Sequence, residues 1–262
     1  MSGRYPALRP YARGDVIAMT AAESTEFDQR AIEELGVPQP VLMENAGRSA
    51  ALLLDKLFPS GRVVGVIGAG NNGGDALVLL RTLQAWGRDV HGVLVAERTI
   101  EKPLLHDWFV PLTPDSDLEE ESWAELLGSA EVLVDGVLGT GVDGAPRERQ
   151  TQAIKLINGT SCPVVAIDVP SGIDPTTGRV PGIAVRADVT VSFGAAKVGC
   201  LLHPARSFVG RLVTVEIAFP PCRKGDSGAL VVTPAWAHAR APLRSGDIHK
   251  KAVGSVSVVA GQ

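Results

Sequence analysis

Residues 62–83, RVVGVIGAGNNGGDALVLLRTL, read as a buried strand, a glycine-rich turn and the start of a helix. Val63, Val64, Val66 and Ile67 form a short, mostly β-branched run of the kind accepted by a sheet covered on both faces. Gly68, Gly70, Gly73 and Gly74 end that run, and a turn with so few Cβ atoms can adopt positive φ and let a ligand approach the backbone closely. Helical spacing returns through Ala76, Leu77, Leu80 and Leu83. Free N–H groups and the positive end of the helix dipole therefore stand beside the glycines, an arrangement that suits an anion or a phosphate.

Two motif readings compete for this stretch. Gly68-x-Gly70-x-x-Gly73 matches the dinucleotide fingerprint, and Glu97, closing the apolar run HGVLVAE, stands where the ribose-binding acid falls, about 20 residues on. A P-loop is excluded because no Gly-Lys-Ser/Thr follows the glycines. Neither template explains Asn71, Asn72 and Asp75. They are either hard oxygen donors for a ligand, or two asparagines tolerating left-handed backbone and an aspartate capping the helix.

A chain of 262 residues holds one large α/β domain, or one domain plus part of another. With 45% apolar and 21% charged residues the balance is that of a globular protein, and no apolar run is long enough to span a membrane. A net charge of -4, with no basic run interleaved with aromatics, gives no general attraction to nucleic acid. The cysteines, Cys162, Cys200 and Cys222, lack metal-ligand spacing and are odd in number, which argues for reduced thiols and a cytoplasmic address.

Along the rest of the chain, strand and helix patterns alternate in the manner of α/β proteins. Residues 1–18 read as a loose arm. Thr20 to Glu23 matches a capping box, and Pro40 opens a helix whose Glu44 and Asn45 read as a solvated edge. A strand at Val90 to Ala96 and a helical stretch near Glu101 to Val110 follow. Asp135 ends the apolar run Val132 to Val134 and precedes a second glycine loop, Gly136 to Gly144; Asp168 ends CPVVAI and precedes Val169-Pro170-Ser171-Gly172. Acids at the carboxyl ends of strands are candidate site walls, with a capping turn as the structural alternative. Ser171 lacks the Gly-x-Ser-x-Gly setting and a histidine partner of a nucleophile. The Asn158-Gly159-Thr160 sequon is expected to be silent without a secretory route. Lys197 reads as a solvated turn lysine or as a cation facing an anionic ligand.

Four loops form a recognisable set: LMENAG at 42–47, GAGNNGGDA at 68–76, DGVLGTGVDGAPR at 135–147 and DVPSGIDPTTG at 168–178. From about Met19 to Phe219 the chain resembles the NAD(P)H-hydrate epimerase family, the YjeF N-terminal domain. The resemblance implies a Rossmann-like three-layer αβα sandwich with a mostly parallel central sheet. It also implies an activity, interconversion of the R and S hydrates of NADH and NADPH, which carry a hydroxyl on the nicotinamide ring. Family roles carried over by position give the hydrated dinucleotide to Asn71, Asn72, Gly73, Gly74 and Asp75, to Gly139, Thr140, Gly141, Val142, Asp143, Gly144 and Ala145, and to Asp168. They give a potassium ion to Asn72, Asp135 and Ser171, and oxygen ligands from three loops agree with a hard cation. A homodimer is also implied.

Within that resemblance Asp168 is the candidate acid/base, and Lys197 a second candidate that orients the pyrophosphate or tunes Asp168. Gly73→Val is expected to harm ligand binding far more than folding. From Gly246, GDIHKKAVGSVSVVAGQ resembles the opening of an ADP- or ATP-dependent hydrate dehydratase domain, with His249-Lys250-Lys251 in place of the usual His-Lys-Gly. The expected organisation is an arm at 1–18, an epimerase domain at 19–221, a linker at 222–245 and a truncated dehydratase-like start at 246–262, as in the front part of a bifunctional enzyme. Two other classes are a nicotinamide-dependent dehydrogenase and a binding or dimerisation module that has lost catalysis.

Overall fold

The computed structural model describes residues 16–98, 104–105, 108–141, 144–220 and 226–241. The chain divides into two compact units, one spanning Ile17–Leu230 and one made of residues 1–16 and 231–262. The first unit opens with β1 (Val16–Met19), α1 (Ala21–Gln29), α2 (Gln39–Leu57), β2 (Val63–Ile67), α3 (Asn71–Ala85) and β3 (Val90–Leu94). It continues through β4 (Leu112–Pro114), α4 (Glu120–Gly128), β5 (Val132–Gly136), α5 (Glu148–Gly159) and β6 (Val164–Ile167). After these come β7 (Val189–Phe193), β8 (Ala196–Lys197), β9 (Arg211–Val215) and β10 (Ala229–Val231). In the second unit the described helix is α6 (Pro234–Arg240), capped by Thr233 Oγ1, which accepts from Trp236 N. It falls inside the stretch expected to be a linker; residues 246–262, the expected dehydratase-like start, lie outside the described residues.

Seven strands form one sheet in the order β4-β3-β2-β5-β6-β7-β9, and every neighbouring pair is parallel. This is the expected mostly parallel α/β sheet. Strand order reverses between β2 and β5, where Val66 pairs with Asp135 and Ile67 with Gly136. Chains leaving such a reversal diverge to opposite faces and open a crevice outside the carboxyl ends of the strands. The glycine loop after β2 and the loop after β5 form its two lips.

One face of the sheet packs with α2 and α3 in a core that includes Leu54, Leu77, Leu80 and Ile167. The other face, with α4 and α5, buries Trp123, Leu127, Ile154 and Ile157. From Asn72 to Leu83 every residue of α3 is buried, because the helix lies between the sheet and α2. An apolar surface all round is what such a position demands.

Four polar residues interrupt that surface, Asn72, Asp75, Arg81 and Thr82; Arg81, 8% exposed, pairs with Glu44 and donates to Leu104 O at 2.6 Å. Glu44 is therefore the counter-ion of a buried arginine and not merely a solvated edge. Asn45 Nδ2 reaches Ile217 O at 3.5 Å. The stretch expected to be helical near Glu101–Val110 is a turn at Leu104, a bend at Leu105 and irregular at 108–110; its other residues lie outside those described.

A small second sheet brings Lys197 into position. β1 and β8 run parallel with Met19 opposite Lys197, and β10 lies on the other side of β1. Thr20 then starts α1 with the expected capping box: its Oγ1 accepts from Glu23 N at 3.2 Å, and Glu23 Oε2 accepts from Thr20 N at 2.7 Å. At its far end Arg30 Nη2 donates to Asp226 Oδ2 at 2.8 Å. Among the described residues no helix is long and apolar enough to cross a membrane.

Candidate active site

The crevice at the strand reversal opens into a cavity of about 830 Å³. Its floor comes from the loops after β2, β5 and β6. Its lining combines apolar side chains, Leu42 and Ala46 of α2 with Phe193 and Phe219, and polar ones such as Asn71, Asn72, Asp75 and Asp168; Phe219 is held edge-on by Phe27 with ring centroids 4.9 Å apart.

The glycines after β2 work differently from the expectation. None of Gly68, Gly70, Gly73 and Gly74 has positive φ. A Cβ on Gly68 would lie 2.0 Å from Val137 O, and one on Gly73 would lie 2.0 Å from Gly68 O. These two glycines let three backbone segments touch. Only Gly70, with nothing within 4 Å of an added Cβ, is open toward the cavity. Gly70 is also the N-cap of α3, and no side chain caps that terminus. Asp75, offered by the sequence as a possible cap, instead sits inside the helix and lines the cavity.

Asn72 and Ser171 meet at Leu138, and Asp135 joins them through Ser171. Asn72 Nδ2 donates to Leu138 O at 2.9 Å, and Leu138 N donates to Ser171 Oγ at 2.8 Å. Ser171 Oγ donates to Asp135 Oδ1 at 2.6 Å, and Ser171 N donates to Asp135 Oδ2 at 2.8 Å. Asp135 is fully buried, and burial pushes its carboxyl up to about 6 against the hydrogen bonds from Ser171 and Val137, which lower it. Asn72 Oδ1 is buried without a hydrogen-bond partner. An orphaned carbonyl oxygen costs free energy unless something accepts its lone pairs. Among the described residues no group of three or more His, Cys, Asp or Glu side chains could hold a metal, so a cation here would draw on amide, hydroxyl and backbone carbonyl oxygens beside the single carboxylate of Asp135.

The loop after β6 is shaped by Gly172, whose φ is +95° and whose missing Cβ would lie 2.1 Å from Ile183 O. Asp174 ties its far side, accepting from Thr176 N at 2.8 Å and Thr177 Oγ1 at 2.6 Å. Burial raises the Asp174 carboxyl, but the hydrogen bonds from Thr177 and Thr176 together outweigh it and hold it below the usual range.

Asp168 has φ 63°, left-handed backbone unusual for a residue with a Cβ. Three contacts hold it there. Its N–H donates to Val191 O at 2.8 Å, and its Oδ1 accepts from Phe193 N at 3.2 Å and from Lys197 Nζ at 2.6 Å. Lys197 is 2% exposed and also donates to Phe193 O at 3.0 Å and Ala195 O at 3.4 Å. It is a buried counter-ion of Asp168, neither a solvated turn lysine nor a free phosphate ligand.

Of the residues expected to bind a dinucleotide, Asn71, Asn72, Asp75, Gly139, Thr140, Gly141, Ala145 and Asp168 line the cavity. Gly73 and Gly74 are buried behind it, Gly144 has positive φ away from the lining, and Val142 and Asp143 lie outside the described residues. Glu97 is exposed and is not among the cavity walls. Its neighbour Arg98 reaches the loop instead, with Nη1 donating to Gly70 O at 2.6 Å and Gly68 O at 3.1 Å.

Asp28 of α1, which sequence reasoning passed over, also lines the cavity. Burial raises its carboxyl, as does Asp168, while Lys197 opposes the shift. Asp75 is held well above the ordinary carboxylate value, first by burial and then by the charges of Asp168 and Asp28, against Arg98 and Lys197. The only sequence signal for Asp28 was a charged residue next to the buried Phe27.

The family model described as YjeF-related protein N-terminus matches residues 39–199. A bifunctional NAD(P)H-hydrate repair enzyme, Nnr, of Pyrobaculum aerophilum is 40% identical over 93% of this chain and 49% of its own length. The chain thus spans about half the length of the bifunctional relatives it matches. The NAD(P)H-hydrate epimerase of Limosilactobacillus fermentum is 34% identical over 76% of this chain and 96% of its own length; that of Cenarchaeum symbiosum is 39% identical over 75% and 92%. The crystal structure of yeast ynu0, YNL200c, shares the fold, with a TM-score of 0.65 at 22% identity, covering 82% of this chain and 98% of that one. On the family match and these relatives, the chain belongs to the YjeF-related protein N-terminus family.

Proposed function

We propose that this chain is an NAD(P)H-hydrate epimerase, interconverting the R and S hydrates of NADH and NADPH. The observation that carries the reading is the convergence of NNGGD and the two strand-end aspartates on one crevice at the strand reversal. The names of the relatives that match nearly end to end support it. A cavity of about 830 Å³ has the volume of a large small-molecule site, with apolar side chains for the ring and an uncapped helix terminus for the pyrophosphate. A dehydrogenase is less well served, because Glu97 does not line the cavity and the paired aspartates would have no role.

The chemistry needs no redox partner. Protonation of the ring hydroxyl lets the ring nitrogen's lone pair form a double bond as the carbon–oxygen bond breaks, and water leaves. Water then adds to the other face of the planar cation and gives up a proton. Asp168, oriented by Lys197 and by the Phe193 amide, is the candidate group for these proton transfers.

The oxygen set of Asn72, Ser171, Asp135 and the Leu138 carbonyl suits a hard cation, and the orphaned Asn72 Oδ1 is the atom that such an ion would satisfy. A potassium ion bound there would bring positive charge to the cavity wall beside an anionic dinucleotide. We further propose a homodimer, a cytoplasmic address and, in a longer chain, a dehydratase domain following residue 245.

The experiment incubates a single hydrate epimer with the protein in potassium and in sodium buffer and follows the epimer ratio by chromatography. Faster equilibration than without protein, and faster in potassium, is the expected result. Equal rates in the two salts would remove the potassium assignment, and no acceleration in either would remove the epimerase reading.

A further inference from the structure

The cavity holds more carboxyl groups than one acid/base residue explains. Asp28 comes from α1, Asp75 from α3 and Asp168 from the end of β6, and all three line the same space as Lys197. Their environments differ sharply. Asp168 accepts from the buried Lys197 ammonium at 2.6 Å and from the Phe193 amide. All three ammonium hydrogens have an acceptor, so this cation is fully committed to Asp168 and to two carbonyls. Asp75 is 9% exposed, and neither its carboxyl nor that of Asp28 has a hydrogen bond among the described residues. A buried carboxyl without donors, facing other carboxyls across a cavity, is most stable with its proton on. One turn earlier on α3, the partnerless Asn72 Oδ1 independently marks the same lining as built for a ligand.

We propose that Asp75 and Asp28 form the proton-donating side of this cavity, Asp75 touching the substrate and Asp28 acting through it as a positioning residue, while the Asp168–Lys197 pair is the proton-accepting side. The inference rests on the epimerase reading and adds a division of labour to it. One carboxyl without donors and one that accepts from a buried ammonium and a backbone amide are suited to separate acid and base roles.

In the forward step the Asp75 O–H bond breaks and its proton goes to the hydroxyl oxygen on the ring. The carbon–oxygen bond then breaks with its electron pair leaving on water. The ring nitrogen's lone pair fills the gap as a carbon–nitrogen double bond. Water adding to the opposite face forms the new carbon–oxygen bond, and its surplus proton passes to Asp168. Exchange with cavity water returns Asp168 and Asp75 to their starting states, so proton number and electron count are unchanged over the cycle.

The charged groups around Asp75 are Asp168 and Asp28, which favour its protonated form, and Arg98 and Lys197, which oppose it. Those around Asp28 are Lys197 and Asp168. Replacing Asp28 by asparagine removes one carboxylate and leaves both cations. Asp75 then loses its proton at lower pH, and epimerisation fails earlier as pH rises.

The test uses the full chain. Asp75→Asn should lower the epimerisation rate at least 10²-fold while dinucleotide binding stays within a few-fold. Asp28→Asn should move the alkaline limb of the kcat profile down by on the order of one pH unit, and Asp28→Glu should restore it. Wild-type rates in Asp75→Asn, or an Asp28→Asn rate reduced equally at every pH, would overturn the proposal. A substrate-free carbon-13 NMR titration of the Asp75 carboxyl decides it apart from activity. A raised midpoint that falls in Asp28→Asn supports the proposal, and an ordinary carboxylate midpoint in wild type overturns it. A wild-type protein that epimerises nothing would instead sink the epimerase reading.

Discussion

Gly70, the N-cap of α3, and Gly73 in its first turn separate binding from folding. A methyl group on Gly73 would collide with the Gly68 carbonyl, and neither backbone can yield without moving β2 or α3. Gly73→Ala should therefore cost about 1–3 kcal/mol of stability, which reverses the expectation that a side chain there would spare the fold. Gly70→Ala meets nothing within 4 Å and should melt close to wild type while weakening dinucleotide binding several-fold. Thermal melts paired with ligand titrations check both. Equal melting temperatures for the two variants would contradict this assignment.

Asp75 carries a stability cost of its own. Its folded carboxyl sits well above the usual value of 3.8, so the folded state holds a proton that the unfolded chain releases. Its contribution is fully present below that ordinary value and is lost as pH rises through the raised one. Asp75→Asn should accordingly melt higher than wild type at neutral pH, with the gap closing near pH 4. A gap that widens on acidification would refute the burial argument. At the same scale Asn158 shows why its sequon is a structural residue: Nδ2 donates to Ala184 O and Oδ1 accepts from Arg186 N, both at 2.9 Å.

At the scale of elements, α3 explains what could be read from the pattern and what could not. Buried strands and a leucine-rich helix write themselves into composition, so β2, β5, β6 and α3 were legible from their β-branched and leucine runs. The partner of Arg81 was not. Glu44 and Arg81 lie 37 residues apart, and only the packing of α2 on α3 brings them together. Glu44→Ala removes a carboxylate from a buried guanidinium, and should cost about 1–3 kcal/mol. Chemical denaturation measures this, and a loss under about 0.3 kcal/mol would mean that solvent replaces the carboxylate.

Asp28 was hidden for a related reason. Its helix has one fully buried residue, Phe27, and α1 reaches the cavity only because β1 pairs with β8 beside Lys197. Two-residue strands such as β8 leave no periodicity to read. The left-handed backbone of Asp168 was equally silent, since Asp-Val-Pro gives no glycine to announce it. Because asparagine tolerates that conformation, Asp168→Asn should keep the fold and lose the chemistry.

For the whole molecule, the strand reversal between β2 and β5 is what gathers residues 72, 135, 168 and 171 at one end of the sheet. The sequence disclosed the loops and, through the resemblance, their shared purpose; it could not disclose that Leu138 links Asn72 to Ser171 and, through it, to Asp135. The central claim is inversion through loss and return of water at this crevice. It is tested most directly by incubating one hydrate epimer with the protein in oxygen-18 water and following both epimer ratio and product mass. The account predicts equilibration faster than in protein-free buffer, with solvent oxygen in the inverted product and no inversion above background in Asp168→Asn. Inversion with retention of the original oxygen, or a ratio that moves no faster than in buffer, would contradict it.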